Sequence, residues 1–531
     1  MLLIGNGRLI TRGAHNRLIE NGCVAADGNV IAAVGTTEEL KKRYPGAEFI
    51  DARGGMILPG LINAHNHIYS AYSRGIAING YNPQNFLDIL DGMWWTIDRN
   101  LLLGDTRMSA LTTYIDCIKN GVTTVFDHHA SYGEIPGSLF AIADAAKETG
   151  VRTCLCYEVS DRDGAEKMRQ AVKENADFIA FCKKDKTDMV KGMMGLHASF
   201  TLSDATLALC RENTPADAGF HIHVAEGMTD VYDSLKKYGK RVINRLFDND
   251  ILGEKTITGH CIHVNGTEMD ILKETNTMVV HNPESNMGNA VGCPPTMEMI
   301  HRGLTVGLGT DGYTNDMYES MKAANCLHKH NLCDPTAAWS EVPYMLFEGN
   351  PAIGARFFEK KLGALEPGAA ADIIGAGSSI AGAMAPYIAE AAVNLNEHLG
   401  YAMQSLQAAS NSLTSAVAGV RGVLNYLNGL PDVQFQGLGS EYSQRVDSLC
   451  GNMRNISDAL TALNTEVGSS ATVLVGDLRK VNDQFSVVML MLVDAIKAAA
   501  SPAIGDVFTD VSEQEGSATD GNVAGCGNTG A

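Results

Sequence analysis

The stretch Ala64-His65-Asn66-His67 follows directly after residues 56–62, an apolar run typical of a buried β-strand. In a strand, residues two apart point to the same face, so both imidazoles would leave the strand end side by side. A His-x-His pair alone is a weak motif, because two solvent-facing histidines in a turn would look the same. It predicts a metal site only if the chain supplies further ligands at other strand ends.

Apolar runs alternate with amphipathic segments from residue 56 to residue 311. Eight strands with interposed helices over about 250 residues are typical of an α/β fold of the (β/α)8 TIM-like barrel type. A doubly wound sheet competes with it, but polar residues cluster at the ends of many runs, where barrel enzymes keep their catalytic groups. The strands are predicted at 56–64, 122–127, 151–159, 191–197, 219–225, 256–262, 277–281 and 304–310, and helices at 137–149, 163–182, 203–213, 229–248, 266–275 and 295–302.

Both ends of the chain differ from this central part. The N-terminal end reads as short strands with a hairpin turn at Asp27-Gly28-Asn29. Past residue 374, apolar residues at helical spacing predict an α-helical appendage, and the last residues are acidic and rich in Gly and Ser. The predicted domains are a small β unit at 1–53, the barrel at 54–374, a helical bundle or coiled coil at 375–500 and a disordered tail at 501–531.

The composition limits the partners and the location. The length of 531 residues predicts two or more domains. A formal charge of −20 argues against nucleic acid and against an anionic membrane surface. Twelve cysteines without a CxxC pair indicate free thiols in a reducing compartment. With neither a signal peptide nor an apolar run long enough to span a bilayer, a cytoplasmic protein without a membrane or nucleic-acid partner is expected.

Three later runs carry further candidate ligands. His221 and His223 would share one face of the fifth run, and Glu226 falls just past its end. His260 lies in the sixth run, and Asp311 comes directly after the eighth. Each cluster alone would be a capped turn or a core histidine. Together they match the catalytic zinc or iron pattern, three or four His or Asp ligands with an open position, and predict one metal site.

On these motifs the sequence resembles the amidohydrolase superfamily, and more narrowly its branch of cytosine, guanine and S-adenosylhomocysteine deaminases and triazine hydrolases. The resemblance covers residues 1–374. Within the branch, Asp127-His128-His129 and residues 227–230 are most similar to the SsnA family of aminohydrolases. The motifs that carry the resemblance lie at 59–67, 221–226, 259–261, 281–286 and 309–311.

The resemblance implies one divalent metal ion, Zn²⁺ or alternatively Fe²⁺. Because the fourth run ends in a histidine and not a lysine, a binuclear centre on a carbamylated lysine is not expected. The implied ligands are His65, His67, His223 and Asp311.

It also implies catalytic and substrate-binding residues. The catalytic residues would be Glu226, His260 and Asp311, with His263 as the alternative to His260. The residues that would contact the substrate are His197, His128 and Asn282.

These roles imply a hydrolase of non-peptide C–N bonds that deaminates a cyclic amidine or nucleobase-like heterocycle. The metal would lower the pKa of bound water from about 16 to about 7, giving a hydroxide nucleophile. Asp311 would accept the water proton, Glu226 would protonate a ring nitrogen, and His260 would stabilise the oxyanion. The partners would be a small heterocyclic substrate and water, and a homo-oligomer is compatible with this.

Two alternatives stay open. The enzyme could hydrolyse a cyclic amide or a chloro-triazine instead. From another class, the protein could be an inactive scaffold whose helical C-terminal segment mediates interactions.

Some residues are assigned packing roles. Trp94 and Trp95 are expected in the core, with a substrate wall as the alternative. The core should also contain Cys154 and Cys156, whereas His328 and His330 are expected on the surface.

The chain departs from the family pattern at Gly375. The resemblance implies further strands there that complete a small sandwich with the N-terminal unit, whereas this sequence predicts helices. The strands of residues 1–53 are therefore predicted to form an incomplete sandwich, without partners and with exposed edges.

Overall fold

The structure is a computed structural model that describes residues 1–13 and 16–376. The helical segment and the tail predicted for the C-terminal part lie outside the described residues, from 377 onward. The strands are β1 (Leu2–Ile10), β2 (Leu18–Asp27), β3 (Val30–Thr36), β4 (Glu48–Asp51), β5 (Met56–Pro59), β6 (Leu61–Asn66), β7 (Val122–His129), β8 (Arg152–Tyr157), β9 (Val190–Gly192), β10 (Met194–Ala198), β11 (Phe220–Val224), β12 (Ile257–His260), β13 (Met278–His281), β14 (Val306–Leu308) and β15 (Ile373–Ala376).

The helices lie mainly between the later strands. They are α1 (Thr37–Arg43), α2 (Phe86–Ile89), α3 (Trp95–Asp98), α4 (Leu103–Lys119), α5 (Ser138–Thr149), α6 (Gly164–Cys182), α7 (Asp204–Glu212), α8 (Met228–Tyr238), α9 (Val242–Asp248), α10 (Gly266–Glu274), α11 (Pro283–Gly288), α12 (Thr296–His301), α13 (Met317–Leu332), α14 (Glu341–Tyr344) and α15 (Asn350–Gly354). No helix within the described ranges is long and apolar enough to cross a membrane.

Two parallel sheets close into a ring. One has the order β6-β7-β8-β9 and the other the order β10-β11-β12-β13-β14. Isolated parallel bridges join them at both edges, Val159 to Leu196 on one side and Asn66 to Asp311 on the other. Only Met193 separates β9 from β10, so the ring has the eight-strand alternation of a (β/α)8 barrel. The predicted α/β class is confirmed.

Asn350 holds the two ends of the ring together. Its buried side chain donates from Nδ2 to the carbonyl oxygens of Ile62 on β6, at 2.6 Å, and of Leu308 on β14, at 2.9 Å. Its Oδ1 accepts the Leu308 N–H at 2.7 Å. Since β6 and β14 are the first and last strands of the ring, one amide satisfies backbone groups at the closure that would otherwise be buried without partners.

The first predicted strand, 56–64, is wrong as a single element, because it divides at Gly60. The part before Gly60 joins the N-terminal sheet as β5, and the part after it enters the ring as β6. A Cβ at Gly60 would lie 2.0 Å from Thr123 Oγ1, so only glycine permits this close passage. The predicted helix at 229–248 likewise divides into α8 and α9 at Gly239, whose φ is +67°.

The N-terminal strands have partners, so the expectation that they lack them is wrong. Their sheet has the order β15-β5-β1-β2-β3, and β4 also pairs with β1. At the β3 edge, the Ile31 N–H donates to Ala369 O at 2.9 Å, and the Gly368 N–H donates to Ile31 O at 2.9 Å. The chain after residue 364 therefore returns along both edges of this sheet before the composition changes.

Packing inside the ring agrees with the expectation for the two cysteines of β8. Cys154 and Cys156 are buried in a cluster with residues of β6, β7, β12 and β13 and with Phe358. This cluster fills the ring with apolar side chains and leaves the ends of the strands for polar groups.

Replacing Asn350 by Ala should destabilise the described part of the protein by about 3 kcal/mol, because three buried backbone groups lose their partner. Urea unfolding of the full chain, followed by tryptophan fluorescence, measures this, since the three tryptophans are Trp94, Trp95 and Trp339. The matched control is Asn213→Ala, which removes one local bond from an exposed asparagine and should change stability by less than about 1 kcal/mol. Equal effects of the two substitutions would contradict the closing role of Asn350.

Candidate metal and active site

The predicted ligands and catalytic groups meet at the C-terminal ends of the ring strands. Three of these ends contain non-glycine residues in the left-handed region, Ala225 with φ 46°, His260 with φ 67° and Asp311 with φ 56°. Such a backbone costs free energy and is found where the surrounding structure holds it in place. Here it turns the chain directly after the strand.

Asp311 is held against β6 by backbone bonds. The N–H groups of Thr310 and Asp311 both donate to His65 O at 3.0 Å, and the His67 N–H donates to Asp311 O at 3.1 Å. A Cβ at Gly309 would lie 2.9 Å from His65 O and 2.4 Å from Asn282 Oδ1. Glycine at this position therefore allows the last strand to approach the first, which brings the carboxylate beside the His-x-His pair.

Backbone carbonyls determine which nitrogen of two histidines carries the proton. His67 Nδ1 lies 2.6 Å from His128 O, and His223 Nδ1 lies 2.9 Å from His197 O. A carbonyl oxygen only accepts, so Nδ1 must be the donor in both rings. Burial lowers the pKa of His67 and of His223, which favours neutral rings. Each Nε2 then presents a lone pair.

These lone pairs point toward one another. His67 Nε2 lies 3.2 Å from His223 Nε2 and 3.2 Å from Asp311 Oδ1. His65 Nε2 is buried without a hydrogen-bond partner, while its Nδ1 lies 2.8 Å from His221 Nε2. Acceptor atoms this close repel one another unless a cation lies among them. Neutral imidazoles and a carboxylate, oriented by carbonyls behind them, fit a divalent metal ion.

A second group of polar residues adjoins the first. His260 Nε2 lies 3.2 Å from Asp311 Oδ2 and 3.5 Å from Glu226 Oε2, and His260 Nδ1 lies 2.8 Å from Asn286 Oδ1. Burial opposes a charge on His260, but Glu226 and Asp311 raise its pKa to about 9. Burial raises the pKa of Glu226 to about 7. The carboxyl group of Glu226 can thus hold or release a proton near neutral pH.

Asp311 contacts both groups of residues. Burial would raise its pKa, yet His67 and His260 hold that pKa below the usual range. One carboxylate oxygen faces His67 and the other faces His260. The same side chain can therefore serve as a ligand and exchange a proton.

A cavity with about 460 Å³ of empty space opens over these residues. Of the predicted substrate contacts, His197 lines it, and its ring lies 6.0 Å from the ring of Trp95. Trp94 and Trp95 are half-buried and also line it, so they form a cavity wall and not only core. The other residues around the cavity include Tyr69, Phe86, Leu90, Glu158 and Asn289.

The other two predicted substrate contacts lie deeper. His128 is fully buried, with its ring 4.5 Å from that of His223 and its Nε2 donating to Leu196 O at 3.0 Å. Asn282 is also fully buried, and both atoms of its side-chain amide lack a hydrogen-bond partner. Neither residue is among those that line the cavity.

His328 is not on the surface, contrary to the expectation. It is buried, with Nε2 2.8 Å from Thr296 Oγ1 and 3.2 Å from His281 Nε2. The reason is that its face of α13 packs toward α11 and β14, which the sequence of α13 alone does not reveal. His330 is exposed, as expected.

The cavity residues that the sequence analysis did not identify include one carboxylate and one amide. Glu158 follows β8, and Asn289 follows α11 and donates from Nδ2 to Glu226 Oε1 at 3.2 Å. Glu158 had a detectable signal, because it is a carboxylate at the end of an apolar run, as Glu226 is. Asn289 had none, since it lies beyond the strand end in an ordinary helix-terminal sequence.

Two protein-family models match parts of this chain. The model of the Amidohydrolase family matches residues 56–397. A model of the imidazolonepropionase-like composite domain of bacteria matches residues 22–47.

This chain matches most of the length of two curated relatives. The 5′-deoxyadenosine deaminase of Methanothermobacter thermautotrophicus is 32% identical over 368 residues, which are 67% of this chain and 81% of the relative. The 5-methylthioadenosine/S-adenosylhomocysteine deaminase of Syntrophomonas wolfei is 30% identical over 379 residues, 70% of this chain and 84% of the relative.

A solved structure shares the fold. The adenosine deaminase from Xanthomonas campestris, crystallised with bound zinc, superimposes with a TM-score of 0.63 at 22% identity. The match covers 72% of this chain and 85% of that one.

Substituting His67 by Ala should weaken the binding of Zn²⁺ by at least about 100-fold, since it removes one of the converging lone pairs. Competition with a zinc-binding dye, together with elemental analysis of the full chain, measures this. His301→Ala is the matched control, because His301 is an exposed histidine paired only with Glu341, and zinc binding should not change. Unchanged affinity in His67→Ala would contradict the metal site.

Proposed function

Because this chain belongs to the amidohydrolase family, hydrolases of C–N bonds other than peptide bonds, we propose that it deaminates an adenine-type heterocycle. Water would replace the exocyclic amino group, and the products would be the oxo-heterocycle and ammonia. The two relatives named above support the adenine class. The observation that carries the proposal is that Asp311 contacts both His67 and His260. Asp311 thereby connects the proposed metal ligands to the residues proposed to transfer protons.

The proposed metal ligands are His65, His67, His223 and Asp311, with Zn²⁺ as the ion. A divalent ion held there supplies the Lewis acidity that activates water for attack at neutral pH. The neutral rings of His67 and His223 suit this ion, because their Nδ1 protons are engaged by backbone carbonyls.

Glu226 is the proposed proton donor to the heterocycle. With its pKa raised to about 7 by burial, its carboxyl group can hold a proton and pass it to a ring nitrogen. Protonating that nitrogen makes the adjacent carbon more electrophilic. Asn289 Nδ2, 3.2 Å from Glu226 Oε1, orients the carboxyl group.

His260 and Asp311 act on the oxygen and on the leaving group. His260, protonated at a pKa of about 9, donates from Nε2 to the negative charge that develops on the attacking oxygen. Asp311 Oδ2 accepts one proton of the water and delivers it to the departing amino group, so that ammonia leaves as a neutral molecule, and the remaining hydroxyl proton passes to Glu226 as the oxo group forms. Asn286 Oδ1 accepts the Nδ1 proton of His260 and orients the ring.

The walls of the cavity suit a flat ring. The Trp95 and His197 rings pack edge to face, with their centroids 6.0 Å apart. Phe86 and Leu90 add apolar surface. Aromatic walls with a few fixed polar groups are typical of sites for heterocycles.

Ammonia release from adenosine, 5′-deoxyadenosine, adenine, guanine and cytosine tests the proposal with zinc-loaded full chain. We expect release from at least one adenine compound. Asp311→Asn should reduce kcat by about 10²- to 10⁴-fold, because it removes the proton acceptor.

The control for that variant is Asp316→Asn in the same loop. Asp316 caps α13 through bonds to backbone N–H groups that an asparagine can also accept, so kcat should stay within about twofold. If the zinc-loaded protein releases ammonia from none of the three adenine compounds, the proposal is wrong. Full activity of Asp311→Asn would overturn the assigned role.

A further inference from the structure

We propose that Glu158 forms, beside the candidate metal site, a subsite for a hydrogen-bond-donating substituent on the substrate. The class is a hydroxyl or amino group attached to the heterocycle, as in a nucleoside. The inference rests on the proposed function and adds a residue that recognises the part of the substrate away from the reacting carbon.

The backbone holds Glu158 firmly at the cavity. Its N–H donates to His129 O at 2.7 Å, and its carbonyl oxygen accepts the Tyr132 hydroxyl at 2.7 Å. Its side chain lines the cavity together with Trp95 and His197. A ligand whose ring lies against those two aromatic residues would therefore bring its substituents within reach of this carboxyl group.

The carboxyl group of Glu158 is not fully used inside the protein. Oε1 lies 3.5 Å from Arg162 Nη2, longer than a normal charge-assisted hydrogen bond, and has no hydrogen-bond partner although it is buried. Arg162 is occupied elsewhere, because it is bonded to Asp98 and lies 3.1 Å from Asp163. A buried carboxyl oxygen without a donor is costly unless a ligand or water supplies one.

His128 provides a second acceptor next to it. The Nε2–H of His128 donates to Leu196 O, so Nδ1 has a lone pair, and this buried Nδ1 has no hydrogen-bond partner. It lies 3.8 Å from Glu158 Oε2, too far for a hydrogen bond between the two. His128 therefore cannot supply a donor to Glu158, and the carboxyl group, which lines the cavity, can take one from a hydroxyl or amino group of the ligand.

Arg162 and its neighbours form a charged cluster that keeps Glu158 in place, and burial limits the negative charge on the Glu158 carboxyl group. The Arg162 guanidinium stacks on the Tyr132 ring at 4.0 Å and on the Trp95 ring at 5.1 Å. Burial raises the pKa of Glu158 to about 8, and Arg162 opposes that rise. The group can therefore lose its proton when a donor, and above all an ammonium group, binds against it.

Binding to the zinc-loaded full chain tests the subsite, in a Glu226→Gln background that removes the proposed proton donor and keeps the proposed metal ligands, so that turnover does not interfere. Calorimetry would compare three ligands that differ in the substituent on the adenine ring. The substituent of adenosine carries hydroxyl donors, that of 5′-amino-5′-deoxyadenosine carries an ammonium group, and that of 9-methyladenine carries no donor. The readout is the ratio of affinity for each nucleoside to that for 9-methyladenine. A general structural fault would lower all affinities without moving this ratio.

Glu158→Ala should lower the adenosine ratio by about tenfold, the value of one hydrogen bond. Glu158→Gln keeps one acceptor oxygen, so its loss should be smaller for adenosine than for the amino-nucleoside. Asp163→Asn is the matched control, since it removes a carboxylate from the same cluster at a position that does not line the cavity. Its ratios should stay within about twofold of the parent.

The outcomes separate the two proposals. If adenosine and 9-methyladenine bind but Glu158→Ala leaves their ratio unchanged, the subsite is wrong and the deaminase proposal stands. If the parent protein binds none of the three ligands and releases no ammonia from adenine compounds, the proposed function fails, and the subsite fails with it. A ratio that falls equally in Asp163→Asn would also overturn direct contact by Glu158.

Discussion

The main constraint on this structure is the close approach of several hydrogen-bond acceptors in one buried site. The Nε2 atoms of His67 and His223 lie 3.2 Å apart, and the Asp311 carboxylate approaches His67 as closely. Both rings are held by carbonyls behind them, so neither can turn its donor inward. A cation between these acceptors would offset their repulsion. The backbone carbonyls that fix the two rings therefore favour metal binding.

That geometry depends on the closure of the barrel. His65 and His67 lie at the end of the first ring strand and Asp311 lies just beyond the last, so the proposed ligands meet only when β6 and β14 lie side by side. Asn350 satisfies the backbone groups of both strands, and Gly309 lets them approach. Stability and chemistry are therefore linked at this seam. The strained left-handed residues at the strand ends are tolerated because the closed ring holds them.

Much of this could be predicted from the sequence, because strand ends carry strong local signals. The apolar runs located most barrel strands, and a histidine or carboxylate directly after a run indicated the polar end of the ring. The errors share a cause. Gly60 looked like part of a strand, although the chain divides there between two sheets and passes so close to Thr123 that a side chain would not fit. His328 looked exposed because α13 was considered without its neighbours, and Glu158 was read as part of an apolar run.

The sequence by itself determined the α/β alternation, the identity of the candidate ligands and the family. The alternation follows from periodicity, which local physical chemistry controls, whereas the candidate ligands and the family follow from motifs that resemble those of known relatives. Only the tertiary structure decided which lone pairs face one another, which acceptors remain without donors and how the N-terminal strands find partners. Those depend on contacts between residues far apart in sequence, such as Asn350 with Ile62 and Glu158 with Arg162, and no local pattern encodes a distance across a closed ring.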